Sequence, residues 1–272
     1  MKPYRLKSAA YPKVWGSKRL EPWFRDPVGD TGEVWFTPRE PIALLVKLIF
    51  TSAKLSVQVH PDDAYAALHE HSRGKTEMWH ILRADEGASI AAGFRETLTP
   101  ARVRESALSG EIEKLLNWIP VKAGDTFLIP AGTVHAIGAG IVLCEVQQFS
   151  DVTYRLYDYG RPRELHLDKS MDVADCGPYI RQACVAPRLA ECGYFVAERF
   201  DAGGRAAYHP DPDRYQLLVV LGGSGTMDGE AFAEGECWMV PAGADEFAIE
   251  GAASFLRAWD PGSGNTTHNK KS

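Results

Sequence analysis

Two segments of this chain follow one template, 111 residues apart. Gly124 to His135 reads GDTFLIPAGTVH, and Gly235 to Glu246 reads GECWMVPAGADE. Both obey G-x5-P-x-G-x2 and then a polar residue, His135 in the first copy and Glu246 in the second. A Gly with Asp or Glu opens a hairpin strand. The Pro-x-Gly turn then re-aims the next strand so that its first polar side chain points inward. A repeated motif implies a repeated architecture. Around both copies the chain is cut into short strand-like runs with regular turn signals, such as YFVAERF, YQLLVVLGGSG, ECWMVPAG, EFAIEG and SFLRAW. That texture belongs to antiparallel sandwiches and barrels. The expected fold is mainly β, with two jelly-roll β-barrel lobes and a small helical insertion in the first.

The boundaries follow from the same pass. Residues 1–175 are expected to form the first lobe, with the insertion around residues 62–118. Residues 176–261 form the second lobe, and the polar tail 262–272, ending GNTTHNKKS, is expected to be disordered. Within the insertion, DDAYAALHEH reads as a helix opened by Asp62 or Asp63. TLTPARVRESALSG reads as a helix with Thr99 as N-cap and Pro100 at its first position, and the amphipathic EIEKLLNWI extends helical structure to about residue 117.

LSVQVHPDD, residues 55–63, alternates cleanly. Leu55, Val57 and Val59 share one strand face, and Ser56, Gln58 and His60 share the other. In KTEMWH the alternation puts Glu77 and Trp79 on one face and Met78 and His80 on the other, so His80 is not expected to join Glu77. Imidazole nitrogens and a carboxylate are ordinary zinc donors, and a Gln carbonyl is a weaker fourth. Two donors at i and i+2 on one strand, with one from each of two others, converge naturally inside a barrel.

Composition narrows the partners. A formal charge of −6 argues against nucleic acid, and no apolar run is long enough to span a membrane. The N-terminus lacks the apolar core of a secretory signal. Five cysteines without a CxxC pair indicate neither a disulfide framework nor a cysteine–zinc knuckle, so a cytoplasmic location is expected. Oligomeric state, monomer or dimer, is left open.

GDTFLIPAGTVH resembles the second motif of the cupins, small metal-holding β-barrels, and QVH with a later Glu resembles a variant of their first. The more specific resemblance is to the type I mannose-6-phosphate isomerases, or phosphomannose isomerases, in their short bacterial form. It is carried by LSVQVHPDD, GKTEMW, IPVKAGD, PAGTVHAIGAG, EVQQFSDVTYRLYDYGR and PRELHL, and is close over roughly residues 10–175. The resemblance implies one zinc ion per chain, held by Gln58, His60, Glu77 and His135. It implies a zinc-dependent aldose–ketose isomerase that interconverts mannose 6-phosphate and fructose 6-phosphate through an enediol. Arg155 matches the family's catalytic arginine. Lys75 and Asp151 match active-site positions suited to proton transfer, and the choice of base among them and a metal-bound water stays open. Lys47 and Ser56 match positions near the sugar phosphate, and Arg161 falls where relatives often carry a lysine. One carboxylate against a divalent ion leaves about one positive charge uncancelled, which suits Lewis-acid work on a sugar carbonyl.

Other readings stand beside this one: an isomerase of another sugar or sugar phosphate, or a non-catalytic sugar-binding cupin. An oxygenase-type cupin ordinarily wants three histidines and ranks last. His69 and His71 point apart on a helix and are expected to be solvated. His166 is expected to be structural. Trp15-Gly16-Ser17 and Gly32-Glu33-Val34-Trp35 stand where relatives show WGG and GESWE. Glu246 replaces a ligand-type His, so the second lobe is expected to be metal-free.

Overall fold

The computed structural model describes residues 1–25 and 29–262; the expected tail lies almost entirely outside the described residues. In chain order the first strands are β1 (Tyr4–Arg5), β2 (Lys7–Ser17), β3 (Thr31–Thr37), β4 (Leu44–Phe50) and β5 (Val57–Val59), followed by helix α1 (Asp63–Glu70). Strands β6 (Glu77–Ala84) and β7 (Ser89–Phe94) lead to helices α2 (Pro100–Ser109) and α3 (Ile112–Leu115). Then come β8 (Leu116–Pro120), β9 (Thr126–Ile129), β10 (His135–Ile137), β11 (Ile141–Gln148) and β12 (Tyr154–Tyr157), closed by helix α4 (Leu167–Val173). The remaining strands are β13 (Arg188–Glu191), β14 (Val196–Tyr208), β15 (Gln216–Met227), β16 (Glu230–Ala233), β17 (Cys237–Val240) and β18 (Phe247–Trp259).

The expectation of a mainly β protein holds. The strands form three sheets: five strands in the order β12-β5-β10-β7-β8, six in the order β2-β3-β4-β11-β6-β9, and seven built on β1-β17-β15-β18-β14-β13, with β16 on β15. Hydrophobic alternation stacks them. On β11, Ile141 and Leu143 join Ile49, Trp79, Ile90 and Ile137 in a core between the five- and six-stranded sheets. Val142, Cys144 and Val146 face the other way, against Leu217, Val219, Cys237 and Leu256 of the seven-stranded sheet. A strand covered on both faces has no polar side to show, which is why IVLCEVQQ reads as a nearly continuous apolar run. The outer face of the five-stranded sheet carries Val57, Val59, Ala136 and Leu156 and is covered by Val103 and Ala107 of α2 and Ile112 of α3.

The two helix starts form as the sequence implies. The Asp62 side chain accepts from the Tyr65 N–H, and that of Thr99 accepts from Arg102, with Pro100 at the first helical position. The second helical stretch is shorter than expected. Gly110 ends α2 in the left-handed region (φ 80°), and from Leu116 the chain is strand, with Ile119 opposite Ile90 of β7. The β-branched and aromatic side chains of LNWIP gain more from the sheet ladder than from one further helical turn. β1 hydrogen-bonds to β17, so the first residues of the chain extend the seven-stranded sheet rather than either sheet of the first lobe. Glu246 does not point inward. β18 begins one residue later, at buried Phe247, and Glu246 is exposed and paired with His209 at 2.9 Å. Expected strands EFAIEG and SFLRAW are two halves of the single strand β18.

Thr51 fastens the turn that leads into β11. Its hydroxyl donates to the Gly138 carbonyl (2.7 Å) and accepts from the Ile141 N–H (2.9 Å), and the group is buried. Thr51→Val keeps the shape and strands both backbone groups. It should lower unfolding free energy by about 2 kcal/mol, read from chemical denaturation; a change within error would mean the turn is held elsewhere.

Candidate metal centre

Strand register sets the site. His135 on β10 lies directly opposite Gln58 on β5, and Gln58 lies opposite Arg155 on β12. Paired residues share a sheet face, so His135, Gln58 and Arg155 form one row across three strands. In the six-stranded sheet, Trp35, Lys47, Glu145 and Trp79 form a second row from β3 to β6, and Glu77 lies opposite Gln147 beside it. His60 follows β5. Gly132, at φ 87°, donates its N–H to the His60 carbonyl at 2.8 Å, and this ties the Pro-x-Gly turn before His135 to the end of β5. A residue with a Cβ would be strained there.

The ligand-type atoms of His60, Glu77 and His135 all lie within 4.8 Å of one another, and all three side chains are buried. Each imidazole is turned by a backbone carbonyl. His60 Nδ1–H donates to the Val152 carbonyl at 2.9 Å, and His135 Nδ1–H donates to that of Thr133 at 2.8 Å. Both Nε2 atoms are thereby brought to Glu77, each 3.5 Å from one of its oxygens. This is how proteins fix the tautomer of a metal-binding histidine. Burial keeps both rings neutral, with His60 held well below its ordinary pKa and His135 down at about 4. The Gln58 amide lies 3.2 Å from His135 Nε2 and 3.4 Å from the Ser56 hydroxyl. Half a turn of that amide directs its carbonyl oxygen into the cluster.

Glu77 decides what the cluster can hold. Its Oε1 is buried without a hydrogen-bond partner, and its Oε2 contacts the Lys75 ammonium, which also donates to His60 Nε2 at 3.0 Å. Burial, reinforced by the charge of Glu145, pushes Glu77 up to about 7. A second positive charge at this point would relieve both the desolvation and the idle oxygen. The donor set of two imidazoles, one carboxylate and one amide oxygen fits a zinc-type ion.

A cavity of about 320 Å³ opens beside the cluster and is lined by six residues singled out in the sequence: Lys47, Ser56, Gln58, Lys75, Asp151 and Arg155. Lys47 is buried, 3.3 Å from Glu145, with its ammonium 4.5 Å from the Trp35 ring centroid. Asp151 is exposed at the rim. Arg155 donates to the Glu164 carbonyl at 2.8 Å, and its buried Nε has no partner. Arg161 does not line this cavity. Its guanidinium reaches the Lys54 carbonyl and the Tyr159 ring, and Arg163 lines the cavity instead. Sequence reasoning missed Arg163 and Glu145. Glu145 sits at the centre of its row, held by Lys47 and by the Trp79 indole N–H at 3.1 Å. The signal was present: a lone carboxylate inside the apolar strand IVLCEVQQ. His80 points the opposite way from Glu77, to the Thr126 hydroxyl at 2.9 Å, and exposed His69 stacks on Tyr65, as the spacing implied.

With the geometry in place, comparison with known proteins is informative. No protein-family model matches the chain. Mannose-6-phosphate isomerase of Streptococcus mutans serotype c is 34% identical over 273 residues, an alignment that spans 82% of this chain and 86% of that protein. The Bacillus subtilis isomerase ManA is 39% identical over 233 residues, spanning 78% of this chain and 73% of that protein. The chain belongs to the mannose-6-phosphate isomerase family. Its fold matches the crystal structure of a Bacillus subtilis mannose 6-phosphate isomerase with a TM-score of 0.85 at 28% identity, over 95% of this chain and 99% of that one. A phosphomannose isomerase mutant from Salmonella typhimurium shares the fold alone, at TM-score 0.74 and 13% identity over 96% of this chain and 100% of that one. Among the described residues, no helix is long and apolar enough to cross a membrane.

Glu145 also makes a measurable acid signature. Burial opposes its ionisation, yet Lys75 and Lys47 hold it down at about 2. A carboxyl depressed in the folded state adds stability above its unfolded pKa, and that stability is lost as pH falls from about 4.5 towards about 2. Glu145→Gln should therefore flatten the acid limb of stability against pH and lower stability at pH 7. An acid limb identical to that of the parent protein would show that the two lysines do not act on Glu145.

Proposed function

We propose that this member of the family is a zinc-dependent aldose–ketose isomerase that interconverts mannose 6-phosphate and fructose 6-phosphate through an enediol. The observation that carries the reading is Glu77: a buried carboxylate with one idle oxygen, faced by two neutral imidazoles, beside a cavity lined by lysine and arginine. Gln58, His60, Glu77 and His135 would hold the zinc. When bound, it supplies Lewis-acid polarisation of the sugar carbonyl and stabilises negative charge on the enediolate oxygens.

The chain's own residues supply the rest. Isomerisation moves a proton between C2 and C1 while O1 and O2 exchange carbonyl character, so it needs fixed positive charge near both oxygens and a base near both carbons. Arg155, on the same sheet face as Gln58, stays charged at any working pH and opposes the enediolate's negative charge. Lys75 and Asp151 both line the cavity and are the candidate groups for taking the proton from one carbon and returning it to the other. Lys75 cannot act as a base while its ammonium is held by Glu77, whose charge, with that of Glu145, raises its pKa despite burial. Asp151 has the simpler route. Lys47 and Ser56 would contact the sugar phosphate. Five free cysteines suit a reducing cytoplasm as the place of work.

The test is a coupled isomerase assay with chelation and zinc add-back. Activity should vanish with chelation and return with zinc; turnover indifferent to chelation would remove the metal from the reading. Arg155→Ala should cut kcat by about 1,000-fold, the scale lost with one preorganised electrostatic group, while zinc content stays at one per chain. A few-fold effect would favour the non-catalytic sugar-binding reading.

A further inference from the structure

Asp158 is a buried carboxylate just beyond β12, and the chain turns two arginines around it. Tyr159 and Gly160 both adopt positive φ, 55° and 77°, which reverses the backbone within DYGRPR. Arg163 then donates to Asp158 from two nitrogens, Nε at 2.5 Å and Nη2 at 2.7 Å, and Arg161 Nε lies 3.4 Å from the same group. The Arg163 Nη1 makes no hydrogen bond among the described residues. Arg155 is close enough that the charge of Arg163, after burial, lowers its pKa. Three guanidiniums thus gather around one buried carboxylate, and two of them, Arg155 and Arg163, line the cavity beside the metal cluster. One carboxylate does not cancel three guanidiniums, and the cavity they border also carries Lys13, Lys47 and Lys75 against Glu33, Glu145 and Asp151.

We infer that Arg163, locked by Asp158, recognises the phosphate of the substrate alongside Lys47 and Ser56, and that Arg161 does not. The inference rests on the reading that the substrate is a sugar phosphate. A planar fork held on two nitrogens can turn only its remaining edge to a ligand, and that edge suits a phosphate oxygen. Asp158 is a positioning residue: it touches no substrate and works by fixing the guanidinium's plane. The dianionic phosphate would supply the charge that the arginine cluster lacks. Arg161 directs its guanidinium to Asp158, the Lys54 carbonyl and the Tyr159 ring; its Nη1 is buried without a partner, and it does not line the cavity.

The experiment measures kcat/KM of the zinc-loaded enzyme for mannose 6-phosphate and for mannose, in the parent protein and in Arg163→Ala, Arg163→Lys, Arg161→Ala and Asp158→Asn. Arg163→Ala should reduce the preference for the phosphorylated sugar about 100-fold, in KM more than in kcat, as expected when one partner of a charge pair is removed. Arg163→Lys should restore part of the loss, and Asp158→Asn should raise KM for mannose 6-phosphate while keeping kcat within a few-fold. Arg161→Ala should have the smaller effect on preference. Inorganic phosphate supplies a readout without turnover: it should raise the parent's melting temperature and fail to raise that of Arg163→Ala. Melting curves also show whether each variant folds, and Arg163→Lys carries the test if Arg163→Ala does not. A parent enzyme without preference for the phosphorylated sugar would overturn the functional reading itself. A parent with that preference, kept in the Arg163 variants or lost equally in Arg161→Ala, would overturn the assignment of Arg163 over Arg161.

Discussion

A carboxylate sealed from water with an idle oxygen is costly to bury, and the polar rows of the five- and six-stranded sheets are arranged around it. Glu77 cannot be solvated, and an isolated ionised carboxyl in such a place would simply take up a proton. Its rise to about 7 records that tension. Lys75 relieves half of it by meeting one oxygen. The other oxygen faces the imidazole of His135, which burial keeps neutral, while His60 faces the oxygen that Lys75 meets. A cation held among them would satisfy these atoms together. Glu145 sharpens the demand, since it raises Glu77 by repulsion while itself being held ionised by Lys47 and Lys75. Alternating charges of this kind, stacked in a low-dielectric slab, are stable only as a set.

The set can be assembled because the sheets are rigid. Each polar row is one side chain per strand, and the ladders on either side fix where those side chains stand. The row Trp35, Lys47, Glu145, Trp79 lies in a sheet covered on both faces, one by the five-stranded sheet and one by the seven-stranded sheet. The seven-stranded sheet therefore has a physical part in the site although it supplies none of the clustered residues: it keeps water from the back of the strands that carry Lys47, Glu145 and Glu77. Thr51 and Gly132 act on the turns, where a ladder cannot.

How much of this was legible depended on range. Alternation separates Glu77 from His80 in KTEMWH and Gln58 from Val57 and Val59 in LSVQVH. It fails at Leu55, which precedes β5 and lies in the core between the five- and six-stranded sheets, on the cavity side with Gln58. The caps at Asp62 and Thr99 were local chemistry that a sequence states openly. What was not legible was pairing between distant strands. Nothing near Glu145 in the chain announces Lys47 and Trp79 as its neighbours, because they come from other strands of the sheet. The exchange of Arg161 for Arg163 at the cavity has the same root. Two arginines two residues apart look equivalent until the chain, reversed at Tyr159 and Gly160, leaves only Arg163 lining the cavity. The helical reading ran to about residue 117, past the start of β8 at Leu116, because the pairing with β7 that makes this stretch a strand lies far off in the chain.

The repeated template shows the same dependence on register at its most economical. In both copies a Gly-led strand runs into a Pro-x-Gly turn, yet only one copy leads to chemistry. His135 is the first residue of β10, so the turn delivers it to the interior. In the second copy the strand starts one residue later, at Phe247, and a shift of one position exchanges the two faces of a strand. Glu246 is thereby placed outside, against His209, and the interior receives an aromatic ring stacked on Tyr208 at 5.0 Å. Phe255, Trp238 and Phe232 fill the same core. Packing of aromatic rings contributes stability here, where the first copy of the template delivers a histidine to the cluster. One residue of register separates the two outcomes, and changing Glu246 back to histidine would not reverse it, because the new imidazole would still stand on the solvent side.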